Sequence, residues 1–141
     1  MFSNGEMITK YWSILWRYGI CLFIVGAFFE TIIVSGHWRF IKLNQSILFV
    51  CHALFFICAS IFRNNKFSQW IWRNIFTEDE LKIIYRTFIS TGFILAILNF
   101  IIAENFSTEI WVYFKIFGIS LYVLGTPVLS VHLLRKENKN I

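Results

Sequence analysis

The chain has 141 residues, of which 57% are hydrophobic, 20% aromatic and 15% charged, with a formal net charge of +5. A soluble domain runs at about 45–50% apolar and about 25% charged, so this composition excludes an ordinary water-soluble globule and places the chain in lipid. The positive charge calls for no nucleic acid: it is the lysine and arginine bias that orients membrane helices, with attraction to anionic headgroups besides.

Apolar stretches at about 12–34, 45–62, 85–103 and 110–134 each exceed or approach the roughly 20 residues needed to cross a ~30 Å hydrocarbon core as a helix. They lack the in/out alternation of barrel strands and are too long for them. The prediction is an all-α polytopic membrane protein, one bundle over 1–141, with about four transmembrane helices. The first stretch is too long for a signal peptide, has no small-residue cleavage site, and further spans follow it. Basic residues flank it (Lys10, Arg17), fill the central loop (Arg63, Lys66, Arg73, Lys82) and recur in the tail (Arg135, Lys136, Lys139). The remaining loops carry Arg39 and Lys42 in one case and none in the other. The positive-inside rule then puts both termini and the central loop in the cytoplasm.

The second stretch holds Cys51, His52 and Cys58. Thiols inside a span behave as small hydrophobes, and together with Cys21 their number is odd, which argues against a disulfide framework. His52 invites a haem reading with His132. At ~1.5 Å per residue, however, the two lie about 12 Å and about 33 Å below the outer ends of their helices and cannot share an iron. His52 also points about 100° away from Cys51, poor geometry for a shared metal. No metal or cofactor is expected.

In the central loop, "KFSQWIWRNIF" places Phe67, Trp70, Ile71 and Phe76 at near-helical spacing, with Gln69, Arg73 and Asn74 largely opposite. That predicts a short interfacial helix over Phe67–Phe76. Thr77 then caps the third helix and Glu80 completes a capping box, with Phe76 and Leu81 as the staple. The acidic run Glu78, Asp79 and Glu80 suits the positive end of that helix better than a metal. Ser107, with Phe106 and Trp111 as staple and Glu109 in the first turn, repeats the device for the fourth helix. Pro127 removes the hydrogen bond to Val123 and predicts a kink beside Gly125.

Intramembrane ionisable groups are expensive and therefore informative. Glu30, Asn99 and Lys115 each lie within about 6–8 Å of the outer end of their helices. They share one level and can form an interhelical cluster. Alternatively, Lys115 snorkels back to the surface with its ammonium on Trp111. The residues leave both readings open.

"FSTEIWVYFKIFG" resembles the late signature N-x-W-V-x-F-K-x-[FW]-G of the intracellular septation protein A family of inner membrane-spanning proteins. The preceding "EDELKIIYRTFISTGFILAILNFIIAENFST" is similar to the family's previous helix, with Asn99 at its usual asparagine. "WRFIKLNQSI" resembles the family's F-I-K-x-K-P-T-I, carrying over Phe40, Ile41 and Lys42. The likeness covers about 20–135. Asn44-Gln45 stand where the family has Lys-Pro, Glu30 where it has a small residue, and the family's N-terminal hydrophobic segment is expected to be lacking. The resemblance implies a multi-pass protein of the bacterial inner membrane acting in septation, cell-envelope integrity and membrane homeostasis. Its implied partners are membrane lipids and division or elongation proteins, with homo-oligomers left open. It implies no enzymatic activity, and the residues themselves offer no catalytic constellation. Lys115, Asn99, Trp111, Phe114, Gly118 and Lys42 are the candidate functional residues. The alternative is a small oligomeric transporter or channel with a polar path near Lys115 and Asn99. A lipid-modifying enzyme would have to draw on Glu104 and Glu109.

Overall fold

The computed structural model describes residues 3–32, 38–61, 72 and 75–137, with the side chains of Cys21, Phe23, Val25 and residues 27–40 left out. The regular structure among these residues is helical. Helix α1 (Asn4–Ile32) begins well before its apolar stretch, because Ser3 and Glu6 form a capping box: the Ser3 N–H donates to Glu6 Oε2 at 2.7 Å and the Glu6 N–H to Ser3 Oγ at 3.2 Å. The Ser3 backbone N–H, and then the Ser3 hydroxyl, hold the Glu6 carboxyl below its ordinary range. Helix α2 spans Trp38–Ile61 and α3 spans Glu78–Asn105. Thr77 caps α3 as expected, accepting from the Glu80 N–H while the Glu80 side chain accepts from the Thr77 N–H. Ser107 caps α4 (Thr108–Ser120), and α5 (Thr126–Glu137) continues it.

Between α4 and α5 runs one π-helical turn, Leu121–Gly125, in which the Thr126 N–H reaches Leu121 O. Pro127 accounts for it. A proline has no N–H to give Val123 and its ring crowds that carbonyl, so the chain widens by one residue ahead of it. The structure places this π turn where the sequence predicts a kink, and α4, the turn and α5 follow one another as unbroken helix over Thr108–Glu137. That helical segment, α3 and residues Ile41–Ile61 of α2 are each long and apolar enough to cross a membrane. At ~1.5 Å per residue α1 also has the length for a span.

Register follows from two contacts. Lys10 pairs with Glu80, and eight residues deeper on each helix the Tyr18 and Phe88 rings lie 4.3 Å apart. Helices α1 and α3 therefore run parallel and level, with the return through α2 between them. Leu134 and Glu137, at the end of α5, line the same cleft as Lys10 and Glu80. The first residues of α1, the start of α3 and the end of α5 thus share one end of the bundle.

An aromatic core joins all these elements. Tyr18 (α1), Phe56 (α2), Phe88 (α3) and Tyr122 (the π turn) are each buried, with Phe56 stacked on Phe88 at 4.7 Å and Tyr122 edge-on to Tyr18 at 5.3 Å. Gly92 lets α2 and α3 close on this core. A Cβ there would stand 3.0 Å from Tyr122 Oη, 3.2 Å from Ala53 Cβ and 3.2 Å from Phe49 O. Burial also departs from that of a soluble protein: Asn99, Ser130, Thr126 and His52 are inside with the aromatic core, whereas Ile97, Phe100, Ile116 and Phe117 face out. This is the arrangement hydrocarbon requires, small and polar groups at the contacts and aliphatic bulk toward lipid.

Most of the predicted loop helix, Phe67–Phe76, lies outside the described residues. Of the rest, Ile75 and Phe76 are not helical, so the predicted helix does not reach Phe76; Phe76 is buried, and so is Trp72, which the pattern did not mark: its indole N–H donates to Tyr85 Oη at 2.8 Å.

Candidate functional site at the Asn99 level

Asn99 is the polar centre of the end opposite the charged one. It sits on α3 with 0% exposure. Its amide nitrogen donates to Ser46 Oγ at 2.8 Å and to Lys42 O at 3.1 Å, both on α2. Its oxygen accepts from the Trp111 indole N–H on α4 at 3.1 Å. One side chain thus uses both donors and one acceptor position to tie three helices together. Ser107 and Glu109 set the start of α4, which brings Trp111 inward a turn later with 3% exposure.

Lys115 comes one further turn along α4. Its Nζ lies 5.5 Å from the centroid of the Trp111 ring, so the indole gives its N–H edge to Asn99 and its face to the cation. In this arrangement the Asn99 oxygen is already taken by Trp111 and Lys115 is not bonded to it. The interhelical tie at this level is built on Asn99 by Trp111, Ser46 and the Lys42 carbonyl, and the foreseen bond to the Lys115 ammonium is not part of it. The side chain of Glu30 lies outside the described residues. Because Trp111 is nearer the helix start, the lysine stem runs back toward the surface, as snorkelling requires.

The other candidates divide. Phe114 is half-buried and packs against the core. Gly118 is buried beside it, yet a Cβ there would meet nothing nearer than 3.6 Å. Lys42 contributes its backbone carbonyl, which any residue would supply, so this bond gives no reason for a lysine. Sequence reasoning missed Ser46. The signal was there: it lies one turn beyond Lys42 on α2, and the family stretch F-I-K-x-K-P-T-I has a hydroxyl at its place.

The histidines stay apart. His52 is buried, with Nδ1 2.8 Å from Leu48 O and its ring edge-on to those of Tyr18 and Tyr122. His132 is exposed on α5, Cys51 half-buried and Cys58 exposed. Asp79 bonds Lys82, and Glu80 serves both the α3 cap and Lys10. Glu104 and Glu109 are both exposed.

Lys115→Arg and Lys115→Gln are both expected to be mild. A cation–π contact at a partly exposed site is worth about 0.5–1 kcal/mol, and either replacement reaches the headgroups. Thermal unfolding in detergent checks this; a loss approaching that of an Asn99 variant would show that the ammonium has a further partner.

Long apolar helices, large aliphatic side chains facing out and an interhelical polar tie define a helical membrane protein. The chain belongs to the intracellular septation protein A family, whose pattern matches residues 7–140. It is 32% identical over 108 residues to the inner membrane-spanning protein YciB of Rickettsia massiliae, 34% to that of Rickettsia akari and 33% to that of Rickettsia prowazekii. Each match takes in 74% of this chain and 59% of the relative, so the match spans under two thirds of those proteins. No solved structure matches.

Proposed function

We propose that this chain is a multi-pass protein of the bacterial inner membrane that supports septation and envelope integrity by binding other membrane components, without catalysis. What carries the reading is that the two family-like polar side chains Asn99 and Trp111 are bonded to each other inside the bundle. With Ser46 and the Lys42 carbonyl they hold three helices in place, a structural use of these groups. The names of the relatives and the family support the membrane and the septation role. The same geometry speaks against a polar path at Lys115 and Asn99, since the amide has 0% exposure and its partners are protein.

The role is tested in a bacterium deleted for its own family member and scored for septum placement and envelope leakage. Expression at normal level is expected to restore both, and failure to restore either overturns the reading. In the proposed topology the charged end, with both termini, faces the cytoplasm. A reporter that is active only after export, fused after Lys139, is expected to be inactive there and active when inserted after Phe106. The reverse pattern would invert the protein.

A further inference from the structure

At the charged end, two of the basic residues that the structure describes have carboxylate partners. Lys10 pairs with Glu80 and Lys82 with Asp79. Arg86 on α3 and Lys136 on α5 differ: among the described residues neither has an ion pair. Both line a groove of about 570 Å³ between those helices, where the one carboxylate among the described lining residues is Glu137. Two cations against one carboxylate leave the mouth of the groove positive.

Deeper in, the lining changes character. Ile94 lies about 12 Å along α3 from Arg86, and Leu129 about 10 Å along α5 from Lys136. Both are exposed, as is Leu133 between them. The hydroxyls of Thr87 and Thr91 are turned back onto their own helix, donating to Ile83 O and Thr87 O at 2.8 Å each. Ser90 is exposed one turn below Arg86, within the groove, and can donate to a phosphate oxygen.

We infer that this groove is a binding site for an anionic phospholipid, with the phosphate on Arg86, Lys136 and Ser90 and an acyl chain along Ile94, Leu129 and Leu133. The order of chemistry along the groove, cationic and then aliphatic over about 10 Å, is that of a headgroup followed by the first part of a chain. An apolar partner helix would cover the aliphatic wall and strand the two cations. A zwitterionic headgroup brings its own ammonium into a site that is already positive. The inference deepens the proposed function by naming the lipid class, and it rests only on the membrane-embedded part of that reading.

The purified chain is reconstituted in phosphatidylcholine bilayers with trace spin-labelled phosphatidylglycerol or spin-labelled phosphatidylcholine, and the motionally restricted fraction of each is measured. Restriction of phosphatidylglycerol is expected to exceed that of phosphatidylcholine. One basic residue near the membrane surface corresponds to about a fivefold preference, so Arg86→Gln or Lys136→Gln should each lower it by about that factor. The double variant should bring it down to the phosphatidylcholine level. Lys82→Gln, which removes a cation paired outside the groove, should leave it unchanged. Equal restriction of the two lipids by the unaltered chain, or a preference that survives the double variant, overturns the site. Carbonate extraction of each variant separates the two failures: a chain released from the membrane refutes the embedded reading itself.

Discussion

Gly92→Leu is expected to prevent stable accumulation of the folded bundle, the largest single effect anticipated for this chain. A Cβ at this position already falls 3.0–3.2 Å from three atoms, and none of them can move cheaply. The Phe49 carbonyl is helix backbone. Tyr122 Oη is held by its hydrogen bond to Phe88 O at 3.2 Å. The Ala53 methyl can move only with α2. Further carbons would push α2 and the π turn off α3 and open the stack of Phe56 on Phe88. Overpacking of this kind costs typically about 1–3 kcal/mol and sometimes more, a large share of a stability of about 5–15 kcal/mol. Gly118→Ala is the contrast. Its new methyl would sit 3.6 Å or more from its neighbours, in ordinary contact, and alanine gains up to about 1 kcal/mol over glycine inside a helix. The signature glycine should therefore tolerate what Gly92 does not. Steady-state level and denaturant unfolding in detergent check both. A Gly92→Leu chain that unfolds like the parent would show that α2 and α3 are not in close contact.

The difference between these glycines could not be read from the sequence, and the reason applies to the rest of the site. Signals within a few residues were legible: Thr77 with Glu80 and Ser107 with Ile110 set the helix starts through bonds to near neighbours. The Ser3–Glu6 box is the same device and was equally readable. Depth was legible too, because helical rise is fixed, and so Asn99 and Lys115 were placed near one level. What one sequence does not encode is the rotation of each helix about its axis. Hydrophobic periodicity sets that rotation in a soluble bundle, but lipid accepts apolar residues on every face. The level was therefore right while the partner of Asn99 was Trp111 and Ser46, and Gly92 did not stand out from its aliphatic neighbours. The effect of Pro127 was visible as a lost hydrogen bond. That it would take the form of a π turn, Leu121–Gly125 with Tyr122 buried, was not.

Asn99→Leu is expected to loosen the end of the bundle opposite the charged one, and the loss should run through Trp111. Of the three partners, the Lys42 carbonyl is in helix α2 and retains its backbone environment, and the half-buried Ser46 can turn its hydroxyl back onto its own helix. The Trp111 indole has neither option, since it is 3% exposed and carries one donor. A stranded buried donor costs about 1–3 kcal/mol, while interhelical hydrogen bonds in membranes average about 0.6 and reach about 1.7 kcal/mol. Together these set the expected destabilisation of Asn99→Leu at about 1–2 kcal/mol. Trp111→Phe should cost a similar amount, since it leaves the Asn99 oxygen without its donor and takes the larger ring from under Lys115. The double variant should then be little worse than the poorer single one, because each change removes the same bond. Unfolding of the four chains in one detergent measures the coupling. Strict additivity would mean that the two side chains act independently, and the tie between α3 and α4 at this level would have to be sought in packing alone.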